Sequence, residues 1–128
     1  MKAINQKAQA IMDILTAGVT LETPKKLDKG GYMAVHVELI SNDPLIPIFS
    51  VAHYGEQNGD LMRDPDMEFI KADGKYYPIS YRNDYMGTWD KPVEFEDGKI
   101  TGFRPGAQMH LATFAGEWMK NIKHQQEL

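Results

Sequence analysis

From Tyr32 to Phe103 the chain is a succession of short apolar runs, each closed by a turn signal, with no helical pattern between any two of them. Parallel strands need a crossover of a dozen or more residues, usually a helix. Strands that follow one another directly pair as antiparallel neighbours. This excludes a doubly wound fold, and the number of runs excludes a helix bundle.

The first run spans about Tyr32 to Ile40, where Met33, Val35, Val37 and Leu39 alternate with His36 and Glu38. Such period-two alternation gives one buried face and one partly polar face. Ser41-Asn42-Asp43-Pro44 marks a turn, and a second strand is expected over about Pro47 to Tyr54. A third covers about Met67 to Lys71. It meets a fourth, Tyr76 to about Arg82, across Asp73-Gly74, a hairpin dipeptide. Pro78 lacks an N–H and so calls for an edge or a bulge. The same alternation places Tyr77, Ile79 and Tyr81 on one face. Residues 83–91 read as irregular, and Val93–Glu96 pairs with Ile100–Phe103 across Asp97-Gly98.

Two amphipathic helices flank these runs. Ile4, Ala8, Ile11, Met12 and Leu15 form one apolar stripe in a helix over 1–17, with Gly18 as a stop. Leu111, Phe114, Ala115, Trp118, Met119 and Ile122 form a heavier stripe over 107–123. Residues 19–31 read as a connection. The expected fold is α+β: a single domain over 1–128, its 32–103 an antiparallel meander sheet of about five to six strands, with both helices packed on one face.

With 128 residues and no cysteine, the chain has length for one core and no means of forming a disulfide, a thiolate metal site or a cysteine nucleophile. No apolar run approaches a membrane span. The N-terminus lacks the continuous apolar stretch of a signal peptide. A cytoplasmic protein with no membrane contact is expected. Charge is uneven: residues 1–30 are net +2, residues 31–70 net −6 and residues 71–128 neutral, summing to −4. A generic phosphate-backbone binder needs a basic face, so nucleic acid is not the expected partner.

Function is expected around His53-Tyr54-Gly55-Glu56-Gln57-Asn58-Gly59-Asp60-Leu61-Met62-Arg63-Asp64-Pro65-Asp66, read as a polar loop between two strands. Glu56, Asn58, Asp60, Asp64 and Asp66 carry oxygens suited to a hard cation, but their spacing departs from the twelve-residue calcium loop. Asn58-Gly59 and Asp64-Pro65 also suit tight turns in which Asp60 or Asp64 accepts backbone N–H groups. His53 has the chemistry of a general base beside Glu56 or Asp60. The other histidines show no zinc spacing. Pro65-Asp66 with Glu68 and Lys71 departs too far from the nuclease pattern it suggests. No phosphate loop or nucleophile elbow is present. Beyond the loop, Tyr81, Arg82, Tyr85 and Trp89 make a second candidate surface, because aromatics and arginine are enriched at binding hot spots.

The string His-Tyr-x-Glu-Gln-Asn-Gly-Asp-Leu-Met-x-Asp-Pro at 53–65, followed by Pro78-Ile79-Ser80-Tyr81, Asp84 and Gly87, resembles a small uncharacterised domain of unknown function found in phage and conjugative-element proteins of bacteria. The resemblance covers about residues 32–122. It implies a mobile-element setting and no particular activity. The residues and the resemblance together favour a non-enzymatic binding or accessory domain, without cofactor, metal or catalytic residues, that takes a protein partner. Its surface is expected at the 53–66 and 82–90 loops, carried by His53, Tyr54, Glu56, Gln57, Asn58, Asp60, Asp64, Tyr81, Arg82, Tyr85 and Trp89. The alternative is a cation-dependent hydrolase using His53, Glu56, Asp60 and Asp64.

Overall fold

The computed structural model describes residues 1–128. Helix α1 (Gln6–Thr16) is followed by strands β1 (Lys25–Leu27), β2 (Val35–Ser41), β3 (Ile48–Gln57), β4 (Asp60–Ala72), β5 (Lys75–Asn83) and β6 (Thr88–Asp90). The hairpin β7 (Val93–Glu96) and β8 (Lys99–Phe103) comes next, and helix α2 (Pro105–Gln125) closes the chain. The first six strands form one antiparallel meander in the order β1-β2-β3-β4-β5-β6, and β7-β8 is a separate two-stranded sheet. The expected architecture therefore holds, with different membership. Short β1 and β6 complete the sheet, where a connection and an irregular loop were expected, and the last hairpin stands apart from it.

The turn dipeptides behave as their chemistry dictates. Asn58-Gly59, Asp73-Gly74 and Asp97-Gly98 all take positive φ at both residues. That backbone matches the twist of the strands it joins, and Asx-Gly adopts it at low steric cost. The consequence at 58–59 is a correction to the sequence reading. The stretch 53–66 is not a loop. β3 runs to Gln57 and β4 starts at Asp60, so the polar motif is a long hairpin with a two-residue tip.

Two bulges set which way side chains point. Ala52 pairs with Asp66 and Tyr54 with Arg63, so His53 faces two residues, Asp64 and Pro65. Pro65 has no ladder donor to lose, which suits it to a bulge. On β5, Pro78 pairs with Phe69 and Ser80 with Glu68, leaving Ile79 as the extra residue. Ile79 packs with Ile70 and Val93 in a small satellite core, while Tyr81 returns to the helix side among the residues packed on the main core. The plain alternation that put Ile79 and Tyr81 on one face fails at this bulge.

The main core lies between the helices and one face of the sheet. Ala8, Ile11, Met12 and Leu15 of α1 and Leu111, Ala115, Trp118, Met119 and Ile122 of α2 meet Val35, Val37, Phe49, Val51, Met67, Phe69 and Tyr76. Phe114, assigned to the buried stripe, sits at its edge and is exposed, with its ring edge-on to Tyr81 at 5.3 Å. Two buried glutamines clamp the ends of α2. Gln108 accepts from the Lys2 N–H at 2.7 Å and donates to the carbonyls of Lys2 and Pro78 at 2.9 and 3.1 Å. Gln126 accepts from the Lys29 N–H and donates to the Met33 carbonyl. Each ties an irregular segment to the core, where an unpaired backbone group is costly. The Tyr76 hydroxyl, bonded to Asp13 and Thr16, joins α1 to β5. Burial pushes its pKa up to about 12. No helix is long and apolar enough to cross a membrane.

Candidate functional site

The face of the sheet away from the helices is built by cross-strand register. One row runs Lys26, His36, Ala52, Asp66, Arg82, Trp89 across all six strands. The row beside it runs Glu38, Ser50, Glu68, Ser80. Beyond the β4 bulge come Tyr54 and Arg63. Residues opposite one another on one face interact directly, and here they form a continuous polar surface. The small residues Ala52, Ser50 and Ser80 are buried at its centre, while the longer side chains around them stay partly exposed.

The hydrogen bonding is fully committed. Ser50 Oγ donates to Asp66 at 2.6 Å, and Ser80 Oγ donates to Glu68 at 2.7 Å. No buried side-chain polar atom anywhere in the protein lacks a partner. Burial raises the Asp66 carboxyl above the ordinary carboxylate range, against the Ser50 bond and the Arg63 guanidinium 3.7 Å away. Burial also raises the Tyr54 hydroxyl, reinforced by the Asp66 charge. His36, edge-on to Tyr54 at 5.0 Å, has its pKa lowered by burial and then by the Lys26 charge.

At the end of this face nearest the hairpin tip, Asp84 is the organising residue. Its Oδ2 accepts from the Arg63 backbone N–H at 2.8 Å and lies 3.3 Å from the Arg63 guanidinium, and its Oδ1 accepts from Arg82 Nε at 3.0 Å. The backbone bond from Arg63 is the main reason the Asp84 carboxyl lies below its ordinary range. Arg82 then lies over the Trp89 ring at 4.2 Å, and Lys91 approaches the same ring at 4.0 Å. Tyr85 crosses to β3, where its hydroxyl donates to the Glu56 carbonyl at 3.4 Å and occupies the space a side chain at Gly55 would need.

The expected site residues thus divide. Tyr54, Arg82, Tyr85 and Trp89 come together around Arg63 and Asp84, and Glu56, Gln57, Asn58 and Asp60 lie exposed at the tip beside them. His53 points the other way. It is buried in the core edge-on to Trp118 at 5.5 Å, with Nδ1 3.0 Å from the Ala34 carbonyl. Tyr81 also faces the helix layer. Asp64 accepts from the Asn83 amide at 3.1 Å rather than from backbone. The backbone-accepting carboxylate anticipated at 60 or 64 is Asp84. The four hydrolase candidates do not converge, and no three histidine or acidic side chains are placed to share a metal ion. The sequence reading left Arg63, Ser50, Glu68, Ser80 and His36 out of the site. Their signal was a polar residue on the same face of each successive strand.

A family model described as a domain of unknown function (DUF6908) matches residues 1–128, and the chain belongs to that family. No curated protein and no solved structure matches it.

Proposed function

We propose that this member of the family is a non-enzymatic binding module of the bacterial cytoplasm, encoded by a mobile element, that takes a protein partner at the β3-β4 hairpin tip and the β5-β6 turn. The observation that carries the reading is the exposure of Leu61, Tyr85, Met86 and Trp89, at 69%, 45%, 75% and 55%. They lie around the Arg63–Asp84–Arg82 network, a hydrogen-bonded charged support. Large apolar side chains gathered at one place mark interaction sites. Aromatic residues, methionine and arginine are the types enriched where protein partners bind. The acidic balance of residues 31–70 favours a protein over a nucleic-acid backbone. The mobile-element setting rests on the motif at 53–65.

The test is affinity purification of the tagged protein from its native host. A discrete partner should be retained by the wild type and lost from a Leu61→Ser, Met86→Ser, Trp89→Ala variant with unchanged thermal midpoint. Equal retention by both proteins would contradict the placement of the surface.

A further inference from the structure

On the opposite side of the molecule, helices α1 and α2 leave a groove between their outer faces. Two adjoining cavities of about 590 and 1050 Å³ share Asn5, Gly116 and Glu117 and form one channel along the pair. Its floor is apolar, from Ala8, Ala10, Ile11 and Ile14, and Ile14 is half exposed. Its rim is basic. Lys2, Lys7, Lys75, Lys120 and Lys123 line it, and none of the five takes part in an ion pair. Against them stand Glu117 and Glu127, and Glu127 is already 3.9 Å from Lys29. In a chain of net charge −4, this is a local reversal of sign over an apolar floor.

We propose that this groove docks an acidic amphipathic segment of a partner protein, seating its apolar side chains on Ile14 and Ala10 and its carboxylates toward Lys7, Lys120 and Lys123. An amphipathic helix laid in a groove is recognised in this way, by apolar anchors and a complementary rim. A phosphate backbone fits less well. The groove has no arginine for bidentate phosphate contacts and no Phe, Tyr or Trp ring for base stacking, His124 being its one ring, and Glu117 sits in its middle. This surface is separate from the hairpin tip and stands or falls independently of it.

The probe is a fluorescein-labelled helical peptide of about three turns with leucine at i, i+3, i+4 and i+7 and glutamate elsewhere. Anisotropy is read against the full chain, with a glutamine-for-glutamate peptide and a single-stranded oligonucleotide as controls. Saturable binding of the acidic peptide is expected, weakened at high salt because exposed charges are screened. Affinity should fall about tenfold or more (about 1.4 kcal/mol) in Lys7→Glu, Lys120→Glu, Lys123→Glu, and should also fall in Ile14→Asp. Lys→Gln versions of the triple variant, with the thermal midpoint unchanged, separate lost attraction from damage to the fold. Binding that ignores the lysine changes, or no saturable binding, overturns the proposal. So does tighter binding of the oligonucleotide with no effect of Ile14→Asp, which would mark a nucleic-acid surface.

Discussion

Replacing Gln108 with alanine should detach the N-terminal segment from the sheet. The side chain is 1% exposed and uses both ends: Oε1 holds the Lys2 N–H, and Nε2 holds the carbonyls of Lys2 and Pro78. Lys2 is exposed and its backbone can turn to water. Pro78 is buried, so its carbonyl loses this donor where water has little access. Leaving such a group unsatisfied costs about 1–3 kcal/mol. Loss of the one buried methylene, Cγ, adds roughly 0.8 kcal/mol. The expected loss is about 3 kcal/mol, measured as a fall in urea midpoint at unchanged slope. The Ile4 amide, which donates to the Tyr76 carbonyl at 3.0 Å, is the local reporter and should lose its hydrogen-exchange protection. Gln108→Glu supplies the control. Its ionised carboxylate still accepts from Lys2 but offers Pro78 no proton. Burial raises that carboxyl's pKa, so its deficit should shrink as pH falls and the acid form donates again. A loss under about 1 kcal/mol in Gln108→Ala, with the Ile4 amide still protected, would refute this account.

Three further outcomes follow from the same geometry. Trp118→Ala should cost about 3–5 kcal/mol in chemical denaturation, and Phe114→Ala much less, because Phe114 lies at the edge of the stripe; equal costs would refute the assigned helix face. Asp66 and Asp84 should give pH dependences of opposite sign. The raised Asp66 carboxyl contributes stability below the ordinary value of about 4 and loses it as pH rises, so Asp66→Asn should improve relative to wild type between acid and neutral pH. The lowered Asp84 carboxyl contributes above that value and loses it as pH falls, so the penalty of Asp84→Asn should shrink in acid; urea titrations at both pH values decide the two signs. Calorimetry with Ca²⁺, Mg²⁺ and Mn²⁺ should show no saturable micromolar binding that Asp60→Asn and Asp64→Asn abolish, since Asp64 is engaged by Asn83.

The elements with a strong local cause were legible in the sequence. Asx-Gly dipeptides announced the hairpins at Asp73-Gly74 and Asp97-Gly98 and a tight turn at Asn58-Gly59, apolar spacing announced two helices, and the absence of helical pattern between strands announced the meander. What failed was the effect of bulges. A polar stretch reads as a loop whenever its alternation is broken, and the extra residue at Asp64-Pro65 breaks it in the middle of β4. The extra Ile79 likewise sent Tyr81 to the helix side. The edge strands β1 and β6 were invisible because three residues carry no period. His53 was taken for a site residue on its type and its place at a strand end, where the polar stretch begins. Its burial against Trp118 follows from a tertiary contact between β3 and α2 that no local pattern records. Asp84 was noted only as part of a motif, and its grip on the Arg63 backbone depends on β5 passing β4 at that point.

The most direct test of the central claim is site-specific photo-crosslinking in the native host. A photoreactive residue is placed singly at Leu61, Met86 or Trp89, and at Glu94 or His110 as exposed controls on the β7-β8 hairpin and α2, both away from the groove between the helices. The same discrete protein adduct is expected from all three tip positions, absent from the controls and lost when Arg82→Glu is added. Adducts of equal strength from the controls, or none from the tip, would contradict a partner surface at this end of the sheet.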